Sequence, residues 1–182
     1  MEAIARGAPD ERSRKEPTPT EALLEFLEAA VHRILASRRL YPLAVFERRK
    51  KYEIPTHMCR HPDVNEWVVQ ALRAAQPFVE SGEAEHIALV ILDSDTNDVL
   101  ESHGFRLGHV SSKPLSDVEY AAVALGFRNC LIKMGAANAL MPPLPDSATF
   151  TLRVCTKPEA DPNPNPNPNP NPNADANPDA HL

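Results

Sequence analysis

Residues 162–173 alternate proline and asparagine without interruption, and this repeat bounds what the chain can fold into. Proline donates no amide hydrogen and fixes φ, so the stretch supports neither a helix nor an interior strand. Asparagine adds nothing to bury. Residues 1–17 are also polar, with acidic and basic side chains mixed. The expected organisation is a disordered segment over 1–17, one folded domain over 18–156 and a disordered Pro-Asn tail over 157–182. Three of the six net negative charges fall in residues 157–182 and the other three in 20–156. The foldable part is therefore mildly acidic, which argues against a protein that grips nucleic acid through bulk charge. Cys59, Cys130 and Cys155 are too few and too scattered for a disulfide framework. No apolar run is long enough to span a bilayer, and none resembles a secretory signal, so the expected setting is a reduced compartment, nucleus or cytosol, away from membranes.

Within 18–156 the punctuation is clear. Thr18-Pro19-Thr20-Glu21 has the form of a capping box with proline at the first helical position, and Leu23, Leu24, Leu27, Val31, Ile34 and Leu35 then recur at spacings of three and four. The helix should stop near "SRRLYP", before Pro42. "LAVFERRKKYEIPTHMCRH" reads as a short strand or hairpin arm followed by a loop. Pro62 opens a second helix with Val64, Trp67, Val68, Ala71, Leu72 and Ala75 on one stripe, ending before Pro77. "HIALVILD", the turn "SDTND" and residues 99–107 predict an antiparallel hairpin. Ser116 and Glu119 form a second capping box, followed by a third helix in which Val118, Ala122, Leu125, Leu131 and Met134 are the expected apolar face. Phe150, Leu152 and Val154 alternate with polar residues in a last strand. Together these predict an α+β fold, three helices on a small, mainly antiparallel sheet.

Chemistry-bearing motifs are sparse. His57, Cys59 and His61 are zinc-ligand types at alternate positions, but no fourth ligand accompanies them, and ordinary residues near a helix start are the simpler reading. Arg48, Arg49, Lys50 and Lys51 are open to two readings: a contact or nuclear-targeting patch, or a solvated strand edge that discourages aggregation. Asp93, Asp95 and Asp98 lack the glycine and distal glutamate of a calcium loop. No phosphate-binding glycine loop, nucleophile elbow or His-Glu helix motif occurs, so no enzyme activity, cofactor or metal is expected. Trp67 is either a core residue or an aromatic anchor for a partner.

The runs "LLEFLEAAVHRILASRRLYPLAVFERRKKYEIPTHMCRHPDVNEWV", "VILD", "FRNCLIKM" and "TFTLRVCT" together resemble the HORMA-domain family, over roughly residues 20–156. Within it they resemble the branch of small, non-catalytic subunits of translesion DNA polymerase zeta. The resemblance implies an adaptor in translesion synthesis and the DNA damage response. Such a protein takes up a proline-containing peptide, notably of the polymerase's catalytic subunit, by strand addition, and closes a C-terminal safety belt over it. It further implies contact with the deoxycytidyl-transferase scaffold polymerase, pairing with another HORMA domain, and a nuclear location, with no direct nucleic-acid contact. A spindle-checkpoint or meiotic-axis adaptor trapping a different peptide is the alternative. By resemblance, Trp67, Tyr41 and Pro42 belong to the peptide site, with Trp67 in place of a family tyrosine. Arg39, Arg128, Lys133 and Ala139 match the dimer interface, although Arg39 stands where the family carries an acid and would oppose Arg128 of a partner domain. The Pro-Asn tail departs from the apolar belt of the family and is expected not to close, because its composition offers almost no burial to offset the cost of ordering it.

Overall fold

The computed structural model describes residues 16–108 and 110–157. Nearly all of the two segments expected to be disordered, 1–17 and 157–182, lies outside the described residues. The Thr18 hydroxyl accepts from the Glu21 amide at 3.1 Å and the Glu21 carboxylate accepts from the Thr18 amide at 2.7 Å. With the first orphan amides satisfied, helix α1 runs over Pro19–Ser37. Leu27, Ala30, Val31, Ile34 and Leu35 are all sealed from solvent because two later helices and a strand pack around the helix. Leu23 and Leu24 of the expected stripe are only half-buried, and Phe26 and Ala30 take their place. The helix stops earlier than Pro42 requires. Arg39 turns left-handed, with φ 55°, and the Leu40 amide reaches back to the Leu35 carbonyl at 3.1 Å, a closure that usually uses glycine.

A 3-10 turn, Leu43–Val45, leads into a two-stranded antiparallel hairpin of β1 (Phe46–Lys51) and β2 (Ile54–Cys59). The segment expected to be a loop, "HMCRH", is thus largely strand, and Cys59 is buried against the core rather than exposed to a ligand. The turn residues Tyr52 and Glu53 both have positive φ, 47° and 61°. Hairpins favour this backbone twist, but a tyrosine there is strained. Its ring is held by Phe127 at 5.5 Å and Phe26 at 6.5 Å, and Phe26 in turn stacks on Phe127 at 4.3 Å.

Helix α2, Pro62–Glu80, buries Val64, Val68, Leu72, Ala75 and Val79. It does not stop before Pro77 as expected. Pro77 and Arg73, whose carbonyl loses its amide partner, both lie on the exposed face, while Val79, two residues after Pro77, is buried and holds the extra turn in place. Strand β3, Ala84–Asp93, is central, with β4 (Val99–Arg106) on one side and β5 (Ala148–Thr156) on the other, all antiparallel. Its run Ile87, Ala88, Leu89, Val90 and Ile91 is buried on both faces, as suits a middle strand.

Helix α3, Asp117–Asn138, starts at the Ser116–Glu119 capping box. Its inward face differs from the expected one. Phe127, Leu131, Met134 and Asn138 face the core, whereas Val118 and Leu125 are exposed. Apolar side chains occur all round this helix, so spacing alone picks no side. Beside Gly135 lies the Arg33 guanidinium of α1, the movable end of a long side chain.

One buried charge cluster joins distant segments. Arg38, at the end of α1, forks onto Glu101 of β4 and donates to the carbonyls of Asn138 at 3.4 Å and Met141 at 3.5 Å, and to that of Pro142. His103 reaches the same carboxylate at 3.1 Å. Arg38→Ala leaves Glu101 buried without its partner and is expected to cost about 3–5 kcal/mol, read by urea unfolding. An unchanged midpoint would contradict this role.

His32, on α1, is almost wholly buried and lacks a partner for either ring nitrogen among the described residues. Burial lowers its pKa from 6.5 to about 4. The unfolded chain therefore takes up a proton that the fold resists. Stability is complete above pH 6.5 and declines as the pH falls towards 4, by roughly 3 kcal/mol. His32→Leu is expected to flatten that part of the stability curve. A slope that persists in the variant would place the titrating group elsewhere.

Candidate functional site

Strand β5 is bonded to β3 along one edge, and its other edge has no strand partner among the described residues. Strand alternation turns Phe150 towards α2, where the Trp67 ring meets it edge-on at 5.0 Å and 81°. Tyr41, placed by the left-handed turn at Arg39, meets the same ring at 6.3 Å and 84°. Tyr41, Asp63, Val64, Trp67, Thr149 and Phe150 line an open cleft of about 270 Å³ beside the free edge.

Trp67 is neither fully buried nor free, for its ring packs on Phe150 while 41% of the residue stays exposed. Burial, assisted by nearby Cys59, raises the Tyr41 pKa, so the phenol stays neutral. Aromatic faces next to unpaired main-chain donors and acceptors suit an extended peptide, with proline a good fit against the rings. The polar groups lining the cleft are the Asp63 carboxylate, the Thr149 hydroxyl and the Tyr41 phenol. Pro42 caps the 3-10 turn, exposed and outside the cleft lining. The sequence pattern flagged Phe150 only as one member of an alternating strand, although both other rings rest on it.

The proposed dimer residues divide into two groups. Arg39 and Ala139 line a cleft of about 580 Å³ that also takes in Asn138 and Asp146. Arg128 and Lys133 sit exposed on α3, Arg128 near Glu53 and about 16 Å along the helix from Ala139. Exposed Val118, Leu125 and Ile132 recur at seven-residue intervals on the same helix. The basic run is largely neutralised: Arg49 pairs with Glu47, Lys50 with Glu53 and Lys51 with Glu25. Its four side chains line the hairpin at mostly exposed positions, remote in sequence from the aromatic cleft.

No protein-family model matches the chain. The "Mitotic spindle assembly checkpoint protein MAD2B" of Bos taurus is 34% identical over 144 residues, which are 79% of this chain and 68% of the relative. The "DNA polymerase zeta processivity subunit" of Arabidopsis thaliana is 31% identical over 125 residues, 68% of this chain and 56% of that protein. Among solved structures, a chain of the "Mitotic Checkpoint Complex" superposes with a TM-score of 0.67 at 19% identity, over 78% of this chain and 77% of its own length. The C. elegans protein HTP-2, bound to the HIM-3 closure motif, superposes with a TM-score of 0.59 at 14% identity, over 80% of this chain and 74% of its own length. These two likenesses concern the fold alone.

Phe150→Ala removes the ring on which both Trp67 and Tyr41 rest. Phe150 is half-buried, so the expected loss of stability is about 2 kcal/mol, below the 3–5 kcal/mol of a fully buried phenylalanine. Trp67 is the chain's one tryptophan, and its emission should move to longer wavelength as the ring is freed. An unshifted spectrum would contradict the shared contact.

Proposed function

The chain belongs to the HORMA-domain family, a class of non-catalytic adaptors, and from that premise we propose that it takes a short proline-containing peptide of a partner along the free edge of β5. The single observation that carries this reading is the convergence of Tyr41, Trp67 and Phe150 beside a nine-residue strand whose outer edge has no strand partner among the described residues. Main-chain hydrogen bonds to β5 supply affinity whatever the peptide sequence, and the aromatic cleft supplies preference for a proline side chain. Proline is tolerated in an added edge strand because every second residue points its missing amide away from the sheet.

The partner we favour is the catalytic subunit of DNA polymerase zeta, with translesion synthesis as the process and the nucleus as the place. The name of the Arabidopsis relative and the resemblance of the "FERRKKY" run support that choice. The deoxycytidyl-transferase scaffold polymerase is the further partner this reading implies. A spindle-checkpoint or meiotic-axis role is the second reading, favoured by the name of the cattle relative. It differs in the peptide held and not in the site. Another HORMA domain would dock on α3, where Val118, Leu125 and Ile132 stand exposed beside Arg128 and Lys133.

The test is a titration with a proline-containing peptide from the polymerase catalytic subunit, followed by Trp67 emission. A saturable change is expected, lost when the peptide prolines are replaced. Trp67→Ala, followed by calorimetry, should weaken binding at least tenfold, about 1.4 kcal/mol. A folded sample that gives no response to the peptide would contradict the assignment.

A further inference from the structure

Of the side chains that line the cleft at β5, only that of Asp63 is a carboxylate, and none is a lysine or arginine. Asp63 stands four residues before Trp67 on α2, a spacing that puts both on one face of the helix with Cβ atoms about 5–6 Å apart. The Asp63 side chain is 89% exposed, and its ion-pair contact among the described residues is the His61 imidazole at 4.0 Å. The nearest arginines in sequence are engaged elsewhere. Arg60 donates to the Ala44 carbonyl at 2.8 Å, and Arg39 lines the neighbouring cleft together with Asp146.

The groups beside that carboxylate also favour a cation. Trp67 leaves 41% of its surface in the open, and an indole attracts an ammonium or guanidinium group more strongly than the other aromatic rings do. Tyr41, kept neutral by burial, adds a second ring and a hydroxyl oxygen that accepts from an N–H donor. An acidic side chain in the same place would meet Asp63 with no lysine or arginine to offset the repulsion. A neutral one would gain the rings and leave Asp63 to water.

In an extended peptide, side chains on one face recur every second residue, about 6.6 Å apart, close to the separation of Asp63 and Trp67. A proline held by the rings therefore brings the side chain two positions away towards Asp63. We propose that Asp63 selects a lysine or arginine two residues from the proline of the bound peptide. The partner's motif is then basic as well as proline-containing. This inference rests on the peptide site proposed above and narrows the class of partner that fits it. An exposed ion pair and a partly exposed ring contact each contribute little, so the expected preference is about fivefold.

The probe is the capped peptide Val-Thr-Xaa-Thr-Pro-Thr-Xaa-Thr-Val, with both Xaa positions lysine, norleucine or glutamate, titrated while Trp67 emission is followed. Two Xaa positions serve either direction of the peptide along β5. A fourth peptide keeps norleucine at Xaa and carries lysine at each end, which holds the net charge and moves it away from the proline. The lysine peptide is expected to bind about fivefold tighter than the norleucine peptide, and the glutamate peptide more weakly than either. Lysines at the ends should recover at most about twofold of that gain. In Asp63→Asn, a change at an exposed side chain, the lysine and norleucine peptides are expected to bind within about twofold of each other. Saturable binding of the norleucine peptide with no gain from lysine, an equal gain from lysines at the ends, or a preference that persists in Asp63→Asn would overturn this proposal and leave the peptide site standing. A folded sample that responds to none of the four peptides would overturn the peptide site, and this proposal with it.

Discussion

The Arg38 guanidinium holds together pieces of chain up to 104 residues apart. It leaves the end of α1, forks onto Glu101 in β4 and collects the carbonyls of Asn138, Met141 and Pro142, where α3 ends and the connection to β5 begins. The last carbonyls of a helix lack internal partners, and a buried helix end needs donors from elsewhere. Arg38 supplies them, and Asn138 adds a bond of its own to Ser37 at 2.8 Å. Taking the arginine and the carboxylate out of water is costly, and only the number of bonds made around them offsets it. The outcome is a fixed exit from α3 that delivers β5 to the side of β3 not occupied by β4.

Placement of β5 creates the site. Once it pairs with β3, one edge of the sheet is left open, and Phe150 is set between α2 and the turn after α1. The left-handed residue Arg39 follows Arg38 directly and swings Tyr41 towards the same ring. Two adjacent arginines thus fix the two sides of one cleft, the first by bonding and the second by backbone conformation. An open edge strand is ordinarily an aggregation hazard. Here it is bordered by Tyr41, Trp67 and Phe150, which under the proposed function would discriminate among the strands able to join it.

Local signals in the sequence were the readable ones. Both capping boxes announce their helices because cap and helix are three residues apart, and the α2 stripe is clear because that helix has one apolar side. The continuous apolar run of β3 marks a strand of the expected hairpin, while its central place in the sheet depends on pairing with the distant β5. Signals that depend on distant chain were silent. Nothing near Tyr52 marks a hairpin turn, since the strained tyrosine is stabilised by Phe26 and Phe127 from two helices. Helix α3 offers apolar residues on every side, and only packing against α1 chooses among them. Pro77 reads as a stop, and it is overridden by the burial of Val79. The sequence left Trp67 open as a core residue or an aromatic anchor, and its contact with Phe150, 83 positions further on, needed the fold.

The central claim, that the outer edge of β5 accepts the partner's strand, is tested most directly by amide hydrogen exchange along that strand with and without the proline-containing peptide. Inward amides of β5 are already bonded to β3, and outward ones are not. Peptide addition is therefore expected to slow exchange at alternate residues of β5, those facing away from β3, with the effect continuing past Phe150. Protection that falls on α3 or on the β1–β2 hairpin, with β5 unchanged in a sample that binds the peptide, would contradict the account.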